Sequence, residues 1–151
     1  MHKIKLSNFL LFFIFISNIN HVFADQNPIV KRVNFIVSDL DQSLKIYRDV
    51  LGMEIVEQKI SPRGSILVFL RFPGTGCKLE LCSFSDSGKI EVPEDLVHLA
   101  FEVENLENCI LKLEEAGTPI TEGPIKSSNG TRFIFTEDPD KYEIELMQHA
   151  K

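Results

Sequence analysis

The sequence predicts an α+β fold built from two tandem βαβββ repeats, and three observations carry that expectation. First, the stretch from Val33 to Gly52 returns as Leu99 to Gly117, starting at an offset of 66 residues. Second, Cys77 to Cys82 (CKLELC) returns as Tyr142 to Met147 (YEIELM) at an offset of 65, so the first copy holds one extra residue, placed near Leu51. Third, both copies run through the same order of signals: one strand, one helix, then three strands.

In the first copy, Val33 to Val37 is a β-branched and aromatic run, and Ser38-Asp39 stands where a helix cap belongs. Leu40, Leu44, Tyr47 and Leu51 recur at helical spacing, and Gly52 closes the helix. Strands follow at 55–59, 65–72 and 78–84, separated by the turn segments 61–64 and 73–76. The second copy predicts a strand over 97–104, a helix over 106–116, a weaker strand near 118–122, and strands over 131–137 and 142–148. Repeat one spans 29–85, a polar linker 86–95, and repeat two 96–148. A lone βαβββ unit leaves one sheet face open, and two units cover each other.

Residues 1–24 read as a secretory signal peptide. Lys3 and Lys5 precede the apolar run Phe9 to Ile16, and Val22-Phe23-Ala24 supplies a small-residue cleavage site. That run is too short to span a bilayer, so the expected product is exported, periplasmic or secreted, with no membrane anchor after cleavage. The remainder, 25–151, fits one domain. Without Lys3 and Lys5 it holds fourteen basic against 22 acidic residues, a net charge of −8. That charge argues against nucleic acid as a partner. Cys77, Cys82 and Cys109 are an odd number for a disulfide framework and read as small apolar fillers, a bridge from Cys109 to either of the others staying open.

Strand alternation sorts the side chains. Val33, Phe35 and Val37 face the helix, and so do Leu79, Leu81, Val97, Leu99, Phe101, Ile144 and Leu146. Arg32, Asn34, Glu80, His98 and Glu145 fall on the opposite face. The offsets pair Glu80 with Glu145 and Arg32 with His98. A lone glutamate on an exposed strand face is ordinarily solvated. Two glutamates at matching places in a repeat, each flanked by apolar residues and joined by an imidazole, instead make a candidate divalent-metal site. Lys78, Glu102 and Glu143 read as solvated charge, His149 is left outside the site, and Lys126 and Arg132 are weakly placed contacts for an anionic ligand.

The segments VSDLDQSLKIYRDVLGM (37–53), LELCSF (79–84), VHLAFEVENLE (97–107) and FTEDPDKYEIELM (135–147) resemble the vicinal oxygen chelate superfamily, with its glyoxalase/bleomycin resistance/dioxygenase fold. The last of these, with GPIKSSNGTRF (123–133), is most similar to the glyoxalase I (lactoylglutathione lyase) branch. The resemblance implies a metal-dependent lyase or isomerase acting on a small carbonyl or thiohemiacetal substrate. It also implies a zinc or nickel ion held by Glu80, His98 and Glu145, with Glu145 as the catalytic base. The family's fourth ligand position is Arg32, which cannot ligate a metal. Arg32 and Asn34 are therefore the expected substrate contacts.

Two outcomes stand open. Three protein ligands suffice for a catalytic metal. Alternatively, the Arg32 guanidinium replaces the metal and the chain is a non-catalytic small-molecule-binding protein. The resemblance leaves two pairings of the repeats open: a homodimer whose site draws Arg32 and Glu80 from one chain and His98 and Glu145 from the other, or closure of both repeats within one chain.

Overall fold

The computed structural model describes residues 29–72, 74–86 and 88–150. The segment read as a signal peptide lies outside the described residues. Repeat one comprises β1 (Arg32–Ile36), α1, β2 (Glu54–Ile60), β3 (Ile66–Arg71) and β4 (Lys78–Ser83). Repeat two comprises β5 (His98–Glu102), α2 (Leu106–Glu115), β6 (Ile120–Lys126), β7 (Arg132–Glu137) and β8 (Glu143–Gln148). Each repeat forms a four-stranded mixed sheet, ordered β1-β4-β3-β2 and β5-β8-β7-β6. The first strand of each pairs in parallel with the last, and the rest is antiparallel. The predicted α+β duplication is the observed fold.

The extra residue of repeat one has a structural address. α1 begins as an α-helix over Leu40–Leu44 and continues as a π-helix over Lys45–Val50. The widened turn is closed by Leu51 N–H donating to the Ile46 carbonyl at 2.9 Å. Both helices start at a side-chain cap, Asp39 and Asn105, and both end at a glycine in the left-handed region, Gly52 (φ 71°) and Gly117 (φ 69°). With both ends fixed by matching caps, the additional residue is absorbed as π geometry.

β6 runs later than the predicted 118–122. Thr118 N–H donates to the Leu113 carbonyl and so still belongs to the helix end. The strand instead continues past Pro124, which an edge position tolerates because no ladder donor is needed there. Val97 also departs from expectation: it precedes β5 and is exposed, whereas Leu99 and Phe101 do pack toward the helices. Cys77, Cys82 and Cys109 are free, and Cys82 is buried. No helix among the described residues is long and apolar enough to cross a membrane.

A single hydrophobic core joins the repeats. Phe35, Val37, Tyr47, Leu79 and Leu81 share it with Leu106, Leu113, Ile134, Ile144 and Leu146. The Phe35 and Tyr142 rings stack with centroids 3.8 Å apart. The turn from Asp138 to Lys141 locks onto α1 through two buried carboxylates. Tyr47 Oη donates to Asp138 Oδ2 at 3.0 Å, and Ser38 N–H donates to Asp140 Oδ2 at 2.9 Å.

Burial is the main cause that pushes the Asp138 carboxyl up to about 6, against hydrogen bonds from Tyr142 N–H, Tyr47 Oη and Asp140 N–H that favour the charged form. A carboxyl raised in the folded state stabilises most below its unfolded pKa, and that contribution is lost as pH rises from about 4 through about 6. We expect urea unfolding at pH 4.5 and pH 7 to show this loss, of order 2–3 kcal/mol, in the native chain. Asp138→Asn keeps the acceptor for both backbone donors and should flatten that slope.

Candidate functional site

The sheet register places the candidate residues on one face of each sheet, in rows that run across the strands. In repeat one the rows are Arg32–Lys78–Arg71–Glu54 and Asn34–Glu80–Phe69–Glu57. In repeat two they are His98–Glu143–Glu137 and Ala100–Glu145–Phe135–Glu122. Directly paired residues project to the same side of a sheet, so each row is a line of neighbouring side chains. The five residues singled out from the sequence all lie on these faces, away from the helices.

Glu80 is 94% buried against its neighbours, at 6% exposure. Its Oε2 lies 2.8 Å from Arg32 Nη1. The contact is electrostatic rather than a directed hydrogen bond, because Oε2 is a buried side-chain oxygen with no hydrogen-bond partner among the described residues. Leaving a buried acceptor unpaired costs roughly 1–3 kcal/mol, which a nearby cation offsets in part. Arg32 is more than half exposed. Asn34 is exposed beside Glu80 on the neighbouring strand.

In repeat two, His98 sits between two carboxylates. Its Nε2 is 3.8 Å from Glu145 Oε2 and its Nδ1 is 3.8 Å from Glu143 Oε2. Phe135 meets the imidazole edge-on at 6.3 Å and is the direct cross-strand neighbour of Glu145. Glu143, read from the sequence as a solvated charge, is therefore part of the site. Burial, with the Asp95 charge as a second cause, pushes its carboxyl above the usual range. The signal that could have found it was its spacing from Glu145: two residues apart on a strand share a face. Arg132 moves the other way. It reaches Glu107 of α2 at 2.5 Å and lies on the helix side, away from any ligand groove. His149 ties the C-terminal segment to Thr131 at 3.0 Å and stays outside the site.

The chain thus forms two half-sites, Arg32 with Glu80 and His98 with Glu145. Among the described residues no group of three His, Cys, Asp or Glu side chains is placed to hold a metal ion. Two clefts of about 730 and 750 Å³ open beside the helices, and neither touches any of these four residues. A single sheet face encloses nothing until a second surface covers it.

The donor chemistry nevertheless fits a divalent cation at three positions. The orphaned Glu80 oxygen, the His98 imidazole and the Glu145 carboxylate are ordinary ligands for zinc or nickel. Arg32 is not one.

Similarity to known proteins extends over most of the chain. A "probable lactoylglutathione lyase" of Synechocystis is 35% identical over 118 residues, covering 74% of this chain and 88% of that protein. A lactoylglutathione lyase of Neisseria meningitidis is 36% identical over 120 residues, covering 74% of this chain and 84% of the relative. The trypanothione-dependent glyoxalase I of Leishmania major superposes with a TM-score of 0.68 at 27% identity, covering 80% of this chain and 86% of that one. The family model of the Glyoxalase/Bleomycin resistance protein/Dioxygenase superfamily matches residues 19–146, and the chain belongs to that superfamily.

Proposed function

We propose that this protein is a glyoxalase I-type lyase or isomerase acting on a small carbonyl or thiohemiacetal, with its site assembled from two copies of the chain. The observation that carries this reading is the complementarity of the half-sites. Repeat one offers a buried carboxylate oxygen without a hydrogen-bond partner. Repeat two offers an imidazole and a carboxylate 3.8 Å apart on an open sheet face. A two-fold dimer that lays repeat one of each protomer against repeat two of the other forms two equivalent grooves, each holding Glu80, His98 and Glu145.

The reaction is a proton shift between adjacent carbons. The Glu145 carboxylate takes the proton from the carbon bearing sulfur and hydroxyl and returns it to the neighbouring carbonyl carbon. The hydroxyl proton passes to the second oxygen, and a thioester with a neighbouring hydroxyl results. Glu80, His98 and Glu145 would hold a divalent metal, which would supply Lewis acidity toward the negative charge of the deprotonated substrate. Phe135 shields one side of Glu145 from water, and Glu143 holds the His98 ring so that its Nε2 faces Glu145.

The test is turnover of the thiohemiacetal formed from glutathione and a 2-oxoaldehyde, with added zinc or nickel. Mixing the variants Glu80→Ala and Glu145→Gln then examines the shared site. Each is expected to be inactive alone, and statistical exchange should restore about a quarter of native activity, because half the dimers carry one intact groove. Mixtures that stay inactive would place each site within a single chain. A second reading, a non-catalytic binder, is favoured by one contact: the Arg32 guanidinium already stands 2.8 Å from Glu80. Purified protein free of metal and without turnover would select it.

A further inference from the structure

The two sheet faces carry opposite charges at equivalent places. The row Arg32–Lys78–Arg71 sets three cations side by side on adjacent strands. Its symmetry mate in repeat two is His98–Glu143–Glu137, an imidazole and two acids. Strands lie about 4.8 Å apart, so the three cations sit within about 10 Å of one another. Like charges directly opposite each other destabilise a sheet, and this chain is acidic overall, with 16 basic against 22 acidic residues. Gathering three of its cations into one row costs stability, and a close carboxylate, Glu80 at 2.8 Å from Arg32, offsets this for one of the three.

The acids near the other two cations do not account for their place in the row. Arg71 Nη1 is 3.8 Å from Glu54 and Lys78 Nζ is 3.9 Å from Glu57, both with exposed partners. Exposed pairs at such distances contribute little. Glu57 is in any case engaged more closely by Lys59, at 3.0 Å. The buried Phe69 ring has its centroid 4.6 Å from Lys59 Nζ and 5.7 Å from Lys78 Nζ, so it carries both ammonium groups. Phe69 is the direct strand neighbour of Glu80, so the Lys78 ammonium stands beside the half-site. On the face as a whole, Arg32, Lys59, Arg71 and Lys78 stand against Glu54, Glu57 and Glu80, a surplus of one positive charge.

We propose that this row is the anion seat of the groove, and that the ligand carries a carboxylate bound across Arg32, Lys78 and Arg71. The inference rests on the lyase reading above and names its substrate class. A surplus of one matches a carboxylate monoanion better than a phosphate dianion. The polarity also has a chemical use. A ligand whose anionic end is fixed on the repeat-one wall presents its reacting carbons to His98 and Glu145, and keeps its own charge away from the acidic wall that must accept a proton.

The experiment is calorimetric titration of the full chain with S-methylglutathione and D-lactate, each against its methyl ester and, for lactate, against inorganic phosphate. Native protein should bind at least one acid about tenfold or more tightly than its ester, the scale of one charge-assisted contact. That preference should shrink about tenfold in Lys78→Met and in Arg71→Met, survive in Lys78→Arg, and weaken with added salt. Both substituted residues are substantially exposed, and unchanged thermal unfolding would exclude a folding defect. Equal affinity for acid and ester, phosphate binding more tightly than lactate, or Met variants that keep the preference would each overturn the anion seat. Turnover measured separately keeps the two ideas apart: activity without acid preference removes only the inference, and acid preference without activity removes only the lyase.

Discussion

Glu145→Gln is expected to lower kcat/KM by about 10²–10⁴-fold while leaving the fold and its thermal unfolding unchanged. That range is what a positioned general base ordinarily contributes. The substitution conserves shape and keeps an acceptor, but the amide cannot take up a proton at any accessible pH. Glu145 is paired in the ladder with Phe135 and Ala100, and its neighbours Ile144 and Leu146 are fully buried, so the backbone at this position is fixed by the core rather than by the carboxylate. Glu143→Gln is the informative control. It stands the same 3.8 Å from His98, on the other ring nitrogen, and its loss removes a group that orients the ring. A reduction of only about 10–100-fold is expected there, the usual effect of an orienting partner. Steady-state kinetics on both variants, with circular dichroism as the check on folding, decides the matter. Equal losses would mean that neither glutamate is the base, and an active Glu145→Gln would end the proton-shift mechanism.

The duplication made most of the fold legible. Matching caps at Asp39 and Asn105, matching glycines at 52 and 117, and matching strand patterns in 78–84 and 142–148 all point one way, and the structure follows them. The same internal comparison exposed the extra residue of repeat one, but not its form. A π turn and a shifted cap leave the same trace in sequence, and the choice was made by two fixed helix ends. β6 was harder because Pro124 and the irregular pairing on either side of Gly123 break the alternation that marks a strand.

The site was legible in its parts. Alternation alone places Arg32, Glu80, His98 and Glu145 on the correct faces. It says nothing about distances between sheets, so the separation into two half-sites became visible only in three dimensions. Glu143 was passed over because a charged residue on a strand face is usually solvated; the imidazole beside it sits on the neighbouring strand, 45 residues away in sequence. The opposed rows of charge were missed for a related reason. Arg32, Lys78 and Arg71 come from three strands, and only the register lines them up.

Arg32→His should convert repeat one into a copy of repeat two and raise the affinity for zinc by more than the 10–100-fold attributable to outer contacts. The internal symmetry supplies the geometry for this expectation. Arg32 stands opposite Lys78 as His98 stands opposite Glu143, and Glu80 corresponds to Glu145. In repeat two that arrangement puts the imidazole Nε2 3.8 Å from the carboxylate, close to the spacing of two ligands on one ion. The substituted ring should meet the orphaned Glu80 oxygen in the same way, adding a fourth protein ligand and removing a cation that repels the metal. Without metal the variant should be less stable, by about 1–3 kcal/mol, because a buried carboxylate loses the guanidinium that stands 2.8 Å from its Oε2. Adding zinc should restore more than is lost, since binding to the folded state alone stabilises it by mass action. Competition titration against a chromophoric chelator, with thermal unfolding in the presence and absence of zinc, reads both effects. Unchanged affinity together with an unfolding temperature insensitive to zinc would show that Glu80, His98 and Glu145 do not converge on a cation, and the shared-groove reading would fall with it.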